Sequence, residues 1–369
     1  MHRDQFNMPA GPYFLSHSVG LPPKTARAAF EADFMNPWAA GDFNIWSEWL
    51  SVIDRFRETL APLIGASPRD ICPQTNVSSA LTKLLFSLPV RPGRTKIVLC
   101  EEDFPTVGFV IAQARRLGLT PVFVSSGPHL ADPEAWSRAF ADDVHLLHLT
   151  HVFSNLGLRT PVAEIVRRAR AHGVITVVDA AQSAGGIEVF ASDWNSDFLT
   201  GTSLKYLCGG PGAAFLWVNP NIVGTCAPAD VGWFSHENPF EFDIRRFQYA
   251  EGAARFWGGT PSVVPFALAA AGAAAVAAAG VASIFAHNQA LIDRIVDGLP
   301  DGAFISHTRR EERGCSFILK PRDMAQTLSA LEDEKIGFDR RSGGLRFSIH
   351  LYNDESDADR LISALKPFF

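Results

Sequence analysis

Short apolar runs alternate with amphipathic segments through the middle third of the chain, and few folds accept that alternation. The runs Lys96–Cys100, Pro121–Ser125, Val144–Thr150, Ile175–Asp179, Asp197–Thr200 and Ala213–Val218 are rich in Val and Ile, and most are bounded by Gly, Pro, Asp or Ser. Such runs read as strands. Helical periodicity fills the gaps. Thr106–Leu117 repeats apolar residues at Val110, Ile111, Ala114 and Leu117, while Pro161–His172 opens on Pro, carries basic residues in its last turns and stops before Gly173. Pro at the start and Gly after the end are helix boundary signals. Strand–helix–strand alternation predicts an α/β fold with a mainly parallel central sheet and helices on both faces.

The pattern changes near residue 287. A helix Asn288–Gly298 leads to strands Ala303–Ser306 and Ser316–Lys320, a helix Met324–Glu334, a strand Gly344–His350 and a helix Glu355–Leu365. The expected division is a large domain over 1–286 and a small α+β domain over 287–369. The end of the large domain, Val263–Ala286, is 24 residues without a charge. That length could span a bilayer. Yet Ala and Gly dominate it, and no basic or aromatic belt brackets it as membrane anchors do. The expectation is one long helix buried in the protein or against a second subunit, because a helix apolar all round is buried somewhere.

Composition excludes several function classes. The net charge of −6 (33 basic and 39 acidic residues) argues against a nucleic-acid or anionic-lipid partner, since both need a basic surface. The five cysteines, Cys72, Cys100, Cys208, Cys226 and Cys315, are scattered and show no metal spacing. No metal site is expected. The polar stretch Met1–Gly11 lacks the order of a signal peptide. A cytoplasmic location is the expectation.

Two segments carry chemistry. Val177-Val178-Asp179-Ala180-Ala181-Gln182-Ser183 delivers an aspartate at the C-terminal end of a strand, where open α/β sheets bind ligands. Thr200-Gly201-Thr202-Ser203-Leu204-Lys205 sets a lysine among hydroxyls before the Gly209-Gly210-Pro211-Gly212 turn. A lysine amine attacks carbonyls when its charged form is destabilised or a cofactor captures it. Lysine, carboxylate and a hydroxyl-rich cradle together point to pyridoxal 5′-phosphate (PLP), which needs a Schiff-base lysine, a partner for its pyridinium nitrogen and a phosphate site.

These segments resemble the class V group of fold-type I PLP enzymes. The kynureninase branch is the nearest in pattern. Tyr13-Phe14-Leu15-Ser16-His17-Ser18-Val19-Gly20-Leu21-Pro22-Pro23-Lys24, Lys205-Tyr206-Leu207, Val231-Gly232-Trp233-Phe234-Ser235-His236-Glu237, and Leu345-Arg346 with Leu351-Tyr352-Asn353 match in order. The resemblance implies the fold-type I PLP-dependent transferase fold and a role for each matching position. Lys205 is the Schiff-base lysine and proton shuttle, Asp179 pairs with the pyridinium nitrogen, Gln182 approaches the ring oxygen, and Phe104 stacks on the ring. Val77 and Ser78, in Asn76-Val77-Ser78-Ser79, hold the phosphate at a helix N-terminus, with Thr202 or Ser203 adding a hydroxyl. Arg346 grips the substrate carboxylate, assisted by Ser18. Trp233 and Thr260 reach the phosphate from a neighbouring subunit, which implies a homodimer. His148 and His151 are expected to be packed histidines rather than bases.

The chain also departs from that branch. Kynureninases usually carry Tyr where this chain has Leu204, Tyr where it has Asn155, His where it has Gln182, and Asn where it has Thr260. Asn155 is therefore a candidate substrate-side residue. Gln182 and the Gly259-Thr260-Pro261 turn look more like the desulfurase and epimerase branches. Desulfurases, however, place a nucleophilic Cys in the loop that is here Arg341-Ser342-Gly343-Gly344-Leu345-Arg346. The implied activity is side-chain cleavage of an L-amino acid, with kynureninase-like Cβ–Cγ hydrolysis first. A C–S or other β-lyase, or a class V aminotransferase or epimerase, is the alternative. The aromatic segment holding Trp38 and Trp46 is expected to line the substrate pocket.

Overall fold

In the computed structural model, residues 2–341 and 343–369 are described. The central sheet has seven strands in the order β1-β7-β6-β5-β4-β2-β3. They are β1 (Ile71–Gln74), β2 (Lys96–Cys100), β3 (Thr120–Val124), β4 (Val144–Thr150), β5 (Ile175–Asp179), β6 (Phe198–Thr202) and β7 (Ala214–Val218). Strands β3, β2, β4, β5 and β6 run parallel, and β7 runs antiparallel to its neighbours β6 and β1. This is the mainly parallel sheet that the alternation predicts. Both faces are covered by buried apolar clusters: Val98, Leu147, Val178 and Leu199 point to one, Ile97, Leu146, Val177 and Phe198 to the other.

One strand escapes the apolar-run signal. β1 is four residues long, contains Pro73 and pairs antiparallel at the sheet edge, a place that tolerates proline. In the smaller unit, β8 (Ser316–Leu319), β10 (Gly344–Ser348) and β9 (Asp339–Arg341) form an antiparallel sheet in the order β8-β10-β9. The expected strand Ala303–Ser306 is not formed; a single bridge joins Phe304 to Leu319 there.

The uncharged stretch is not one helix. Val264–Ala279 ends at Gly280, whose φ of 76° lies in the left-handed region, and Val281–Gly298 sets off at 76° to it. Glycine adopts that conformation without the Cβ clash that stops other residues. Among the described residues, no single helix is long and apolar enough to cross a membrane. The second helix runs through the expected 286/287 division: Ile284 packs in the large-sheet core, while Leu291, Ile292 and Ile295 pack in the small unit. The N-terminal segment also joins the small unit. Phe14 lies in that core, its N–H donates to Gly337 O, and its carbonyl accepts from Ser348 N.

Small residues in Val264–Ala279 let the helix approach the turn that carries Lys205. A Cβ at Gly272 would lie 2.4 Å from Leu207 O and 2.6 Å from Cys208 O. From the other side Gly20 N donates to Leu204 O at 2.8 Å, and a Cβ at Gly20 would lie 2.0 Å from Lys205 O. The lysine turn is gripped between the helix and the N-terminal segment.

Candidate active site

The C-terminal ends of β4, β5 and β6 share one register row, Thr150–Asp179–Thr200. Beside that row opens a cavity lined by the ends of β4–β6, the helix start at Val77 and the turn after β2. It lies where strand order reverses between β2 and β4, the crevice that open α/β sheets use for ligands.

Seven of the sequence-derived candidates meet here: Val77, Ser78, Phe104, Asp179, Gln182, Thr202 and Lys205. Asp179 is nearly buried, and its Oδ1 accepts from Ala181 N at 2.7 Å, which fixes the carboxylate plane. Lys205 Nζ lies 5.8 Å from the Phe104 ring centroid. Burial pushes the Lys205 amine down to about 8, with Asp179 opposing and the Arg346 and Arg341 charges assisting. About a tenth is therefore the neutral nucleophile at pH 7. Helix Val77–Leu85 begins at the cavity. Its cap residue Asn76 accepts Ser79 N at 2.8 Å and leaves the Val77 and Ser78 N–H groups facing outward. A helix N-terminus with unused N–H groups suits a phosphate.

The other candidates lie elsewhere. Ser203 is buried, with Oγ donating to Ala213 O at 2.7 Å, so it braces the lysine turn instead of facing a ligand. Trp233 Nε1 donates to Thr260 Oγ1 at 3.3 Å, and neither lines the cavity. Asn155 is exposed on a turn, and Ser18 is also outside the lining. Trp38 and Trp46 fall outside it too, contrary to expectation. Both pack against Trp49, and Trp46 also packs against Trp233. Arg346 is 1% exposed and already paired: Nε and Nη2 hold Asp339 at 2.9 and 2.5 Å, and Nη1 donates to Ser154 O at 2.8 Å. Burial opposes ionisation of Asp339, but the close His17 imidazole and the paired Arg346 guanidinium hold its carboxyl well below the usual carboxylate range. Ser342, in the loop before Arg346, lies outside the described residues.

Sequence reasoning missed Thr106, Val107, Thr150, Val152, Ser154, Ala181 and Leu204 in the lining. Thr150 was within reach, because it ends a predicted strand beside the Asp179 strand. His151 packs edge-on to Trp194 with ring centroids 4.9 Å apart, as a packed histidine does. His148 is buried against Asp103, Nδ1 to Oδ2 at 3.2 Å.

The lining fits PLP. The buried Gln182 Oε1 has no hydrogen-bond partner, and a buried orphan acceptor calls for a ligand or other explanation. Asp179, Lys205, the aromatic Phe104 and the helix N-terminus supply the remaining groups that this cofactor needs.

Comparison with known proteins agrees. A kynureninase of Deinococcus radiodurans is 32% identical over 273 residues, covering 71% of this chain and 65% of that protein, just under two thirds of its length. A kynureninase of Pseudomonas fluorescens is 29% identical over 307 residues, 80% of this chain and 72% of the relative. Among solved structures, a C-DES mutant with glycine covalently linked to its PLP cofactor superposes with a TM-score of 0.90 at 22% identity, over 100% of both chains. The cystine C–S lyase C-DES with its product cysteine persulfide gives 0.87 at 22%, over 97% and 98%. These likenesses establish the fold-type I architecture. The aminotransferase class V family model matches residues 41–361, a span that holds the cavity and its lysine, and the chain therefore belongs to the class V aminotransferase family of PLP-dependent enzymes.

Proposed function

We propose that the protein cleaves a bond at Cβ in the side chain of an L-amino acid, with kynurenine-type hydrolysis as the first reading. The observation that carries the proposal is the Lys205 amine. It is held near neutral pKa at the floor of a cavity walled by Val77, Val107, Val152 and Leu204. PLP, when bound, supplies the electron sink that stabilises negative charge at Cα. The chain's own residues do the rest. Lys205 takes the α-proton and returns it. Asp179, its plane fixed by Ala181 N, presents its carboxyl to the ring nitrogen. Val77 and Ser78 N–H groups hold the phosphate, and Phe104 covers one ring face. The apolar wall favours an apolar or aromatic substrate side chain. The kynureninase relatives support the hydrolytic reading.

Leu204 favours a second reading. It lines the cavity beside Lys205 with a side chain that cannot donate a proton, where the kynureninase pattern has a tyrosine. Elimination of a leaving group from Cβ asks only for a base at Cα, which Lys205 supplies. Such a β-lyase would not run through an enzyme thiol, because all five cysteines are buried and burial pushes their thiols up. Product analysis separates the two. Alanine plus an anthranilate from kynurenine marks hydrolysis, and pyruvate plus ammonia from cysteine conjugates marks elimination. Neither product from either substrate refutes both. We extend the reading to a homodimer in which the exposed Thr260 and its partner Trp233 meet the neighbouring subunit's phosphate site; a monomer by light scattering at micromolar concentration would refute it.

A further inference from the structure

Behind Gln182 and Ser154 a buried polar chain leads away from the cavity. Gln182 Nε2 donates to the His17 carbonyl at 3.0 Å. The His17 imidazole is fully shielded from solvent. Its Nε2 lies 3.1 Å from Asp339 Oδ1 but is poorly aligned for a hydrogen bond, and its Nδ1 has no polar partner. Asp339 in turn holds Arg346, which reaches Ser154 O. Burying an imidazole with neither nitrogen satisfied costs stability. Packing gives no reason for such a residue.

Its charged neighbours give one. Asp339 from β9 and Arg346 from β10 cancel, and Lys205 from the turn after β6 is the third charged group acting on His17; Gln182 reaches only its backbone carbonyl. Burial, assisted by Arg346 and Lys205 and opposed by Asp339, pushes His17 down to about 4, so it is neutral. A guanidinium has five N–H donors. Asp339 and Ser154 leave one on each terminal nitrogen of Arg346 for a further carboxylate.

We infer that His17 takes up a proton when a substrate carboxylate docks at Arg346, because the added negative charge favours the charged imidazole. This rests on Arg346 as the carboxylate anchor. A new negative charge within about 4–6 Å raises the pKa of a neighbouring base by about 1–3, which brings His17 into the range of about 5–7. Carboxylate binding is then tightest below about pH 4, weakens about tenfold for each pH step of one between 4 and the raised value, and levels off above it.

The test uses the PLP-loaded enzyme and 3-phenylpropionate, a carboxylate without an amine, so that no ligand ammonium titrates. Calorimetry between pH 5 and 7, in buffers of different ionisation enthalpy, counts the protons. The expected uptake at pH 5 is about 0.4–0.9 proton, declining toward pH 7, and is abolished in His17→Asn. No uptake by the wild-type enzyme, or full uptake by His17→Asn, overturns the inference, and the wild-type count decides even where the variant does not fold. An Arg346→Lys variant that binds as tightly as wild type overturns the anchor reading and this inference with it. Weakened binding in Arg346→Lys without wild-type uptake overturns the inference alone.

Discussion

Replacing Gly272 with alanine sets two known effects against each other. Within a helix the change normally stabilises by about 0.8–1 kcal/mol, because alanine loses less backbone entropy. Here the new Cβ would lie 2.4 Å from Leu207 O and 2.6 Å from both Cys208 C and O. Those are backbone atoms of the lysine turn and cannot rotate away. Relieving the overlap means moving the helix or the turn by roughly 1 Å, and overpacking of this kind costs about 1–3 kcal/mol. With rigid neighbours the upper end applies, and Gly272→Ala is expected to destabilise by about 2 kcal/mol after the helix gain is subtracted. Ala274→Gly, at an exposed position of the same helix, is the control and should lose about 1 kcal/mol by propensity alone. Urea unfolding measures both. Because the displaced carbonyls flank Lys205, Gly272→Ala should also weaken PLP binding, read by titrating the visible absorption of the bound cofactor. A Gly272→Ala protein as stable as wild type, with unchanged cofactor affinity, would refute the close-approach reasoning.

Other outcomes follow from the same structure. Wild-type protein should show a visible cofactor band that borohydride removes while fixing the cofactor to Lys205, and Lys205→Ala should leave no covalent adduct by mass spectrometry. Burial pushes His151 and His350 down to about 3, so both are neutral when folded and charged when unfolded below their ordinary pKa. Their stabilising effect is present above about pH 6.5 and lost as pH falls, by about 2 kcal/mol each at pH 5; denaturant midpoints at pH 7.5 and 5 that coincide would contradict this. Asp339→Ala leaves the buried Arg346 charge without its partner and should cost about 3 kcal/mol, the low end for a broken buried pair because Asp339 is partly exposed. Equal urea midpoints for the variant and wild type would argue against that pairing.

Much of the site is legible in the sequence because it sits where strands end. The run Val177–Asp179 ends in its aspartate, and the hydroxyl-lysine segment follows β6, so both positions come from local pattern alone. Phe104 and the Asn76–Ser79 helix start are legible for the same reason, each being a short motif beside a strand or helix end. The absence of a cysteine from the loop before Arg346 also needs only the sequence. What escapes is long-range. The pattern presents Arg346 as open to substrate, but Asp339, which pairs with it, is placed by the register of β9 on β10. His17, from the other end of the chain, meets that pair only because the N-terminal segment joins the small sheet.

The sequence by itself determined the parallel sheet, the cofactor and the lysine, since each depends on residues within a few positions of one another: apolar periodicity, an aspartate at a strand end, a lysine before a glycine turn. Tertiary structure alone decided how those parts are held and what they can reach. It broke the uncharged stretch at Gly280 and pressed Gly272 onto the lysine turn. It also buried Arg346 against Asp339 and drew Trp38 and Trp46 into an aromatic cluster away from the cavity. Burial and close approach are properties of pairs far apart in the chain, and no local pattern encodes them.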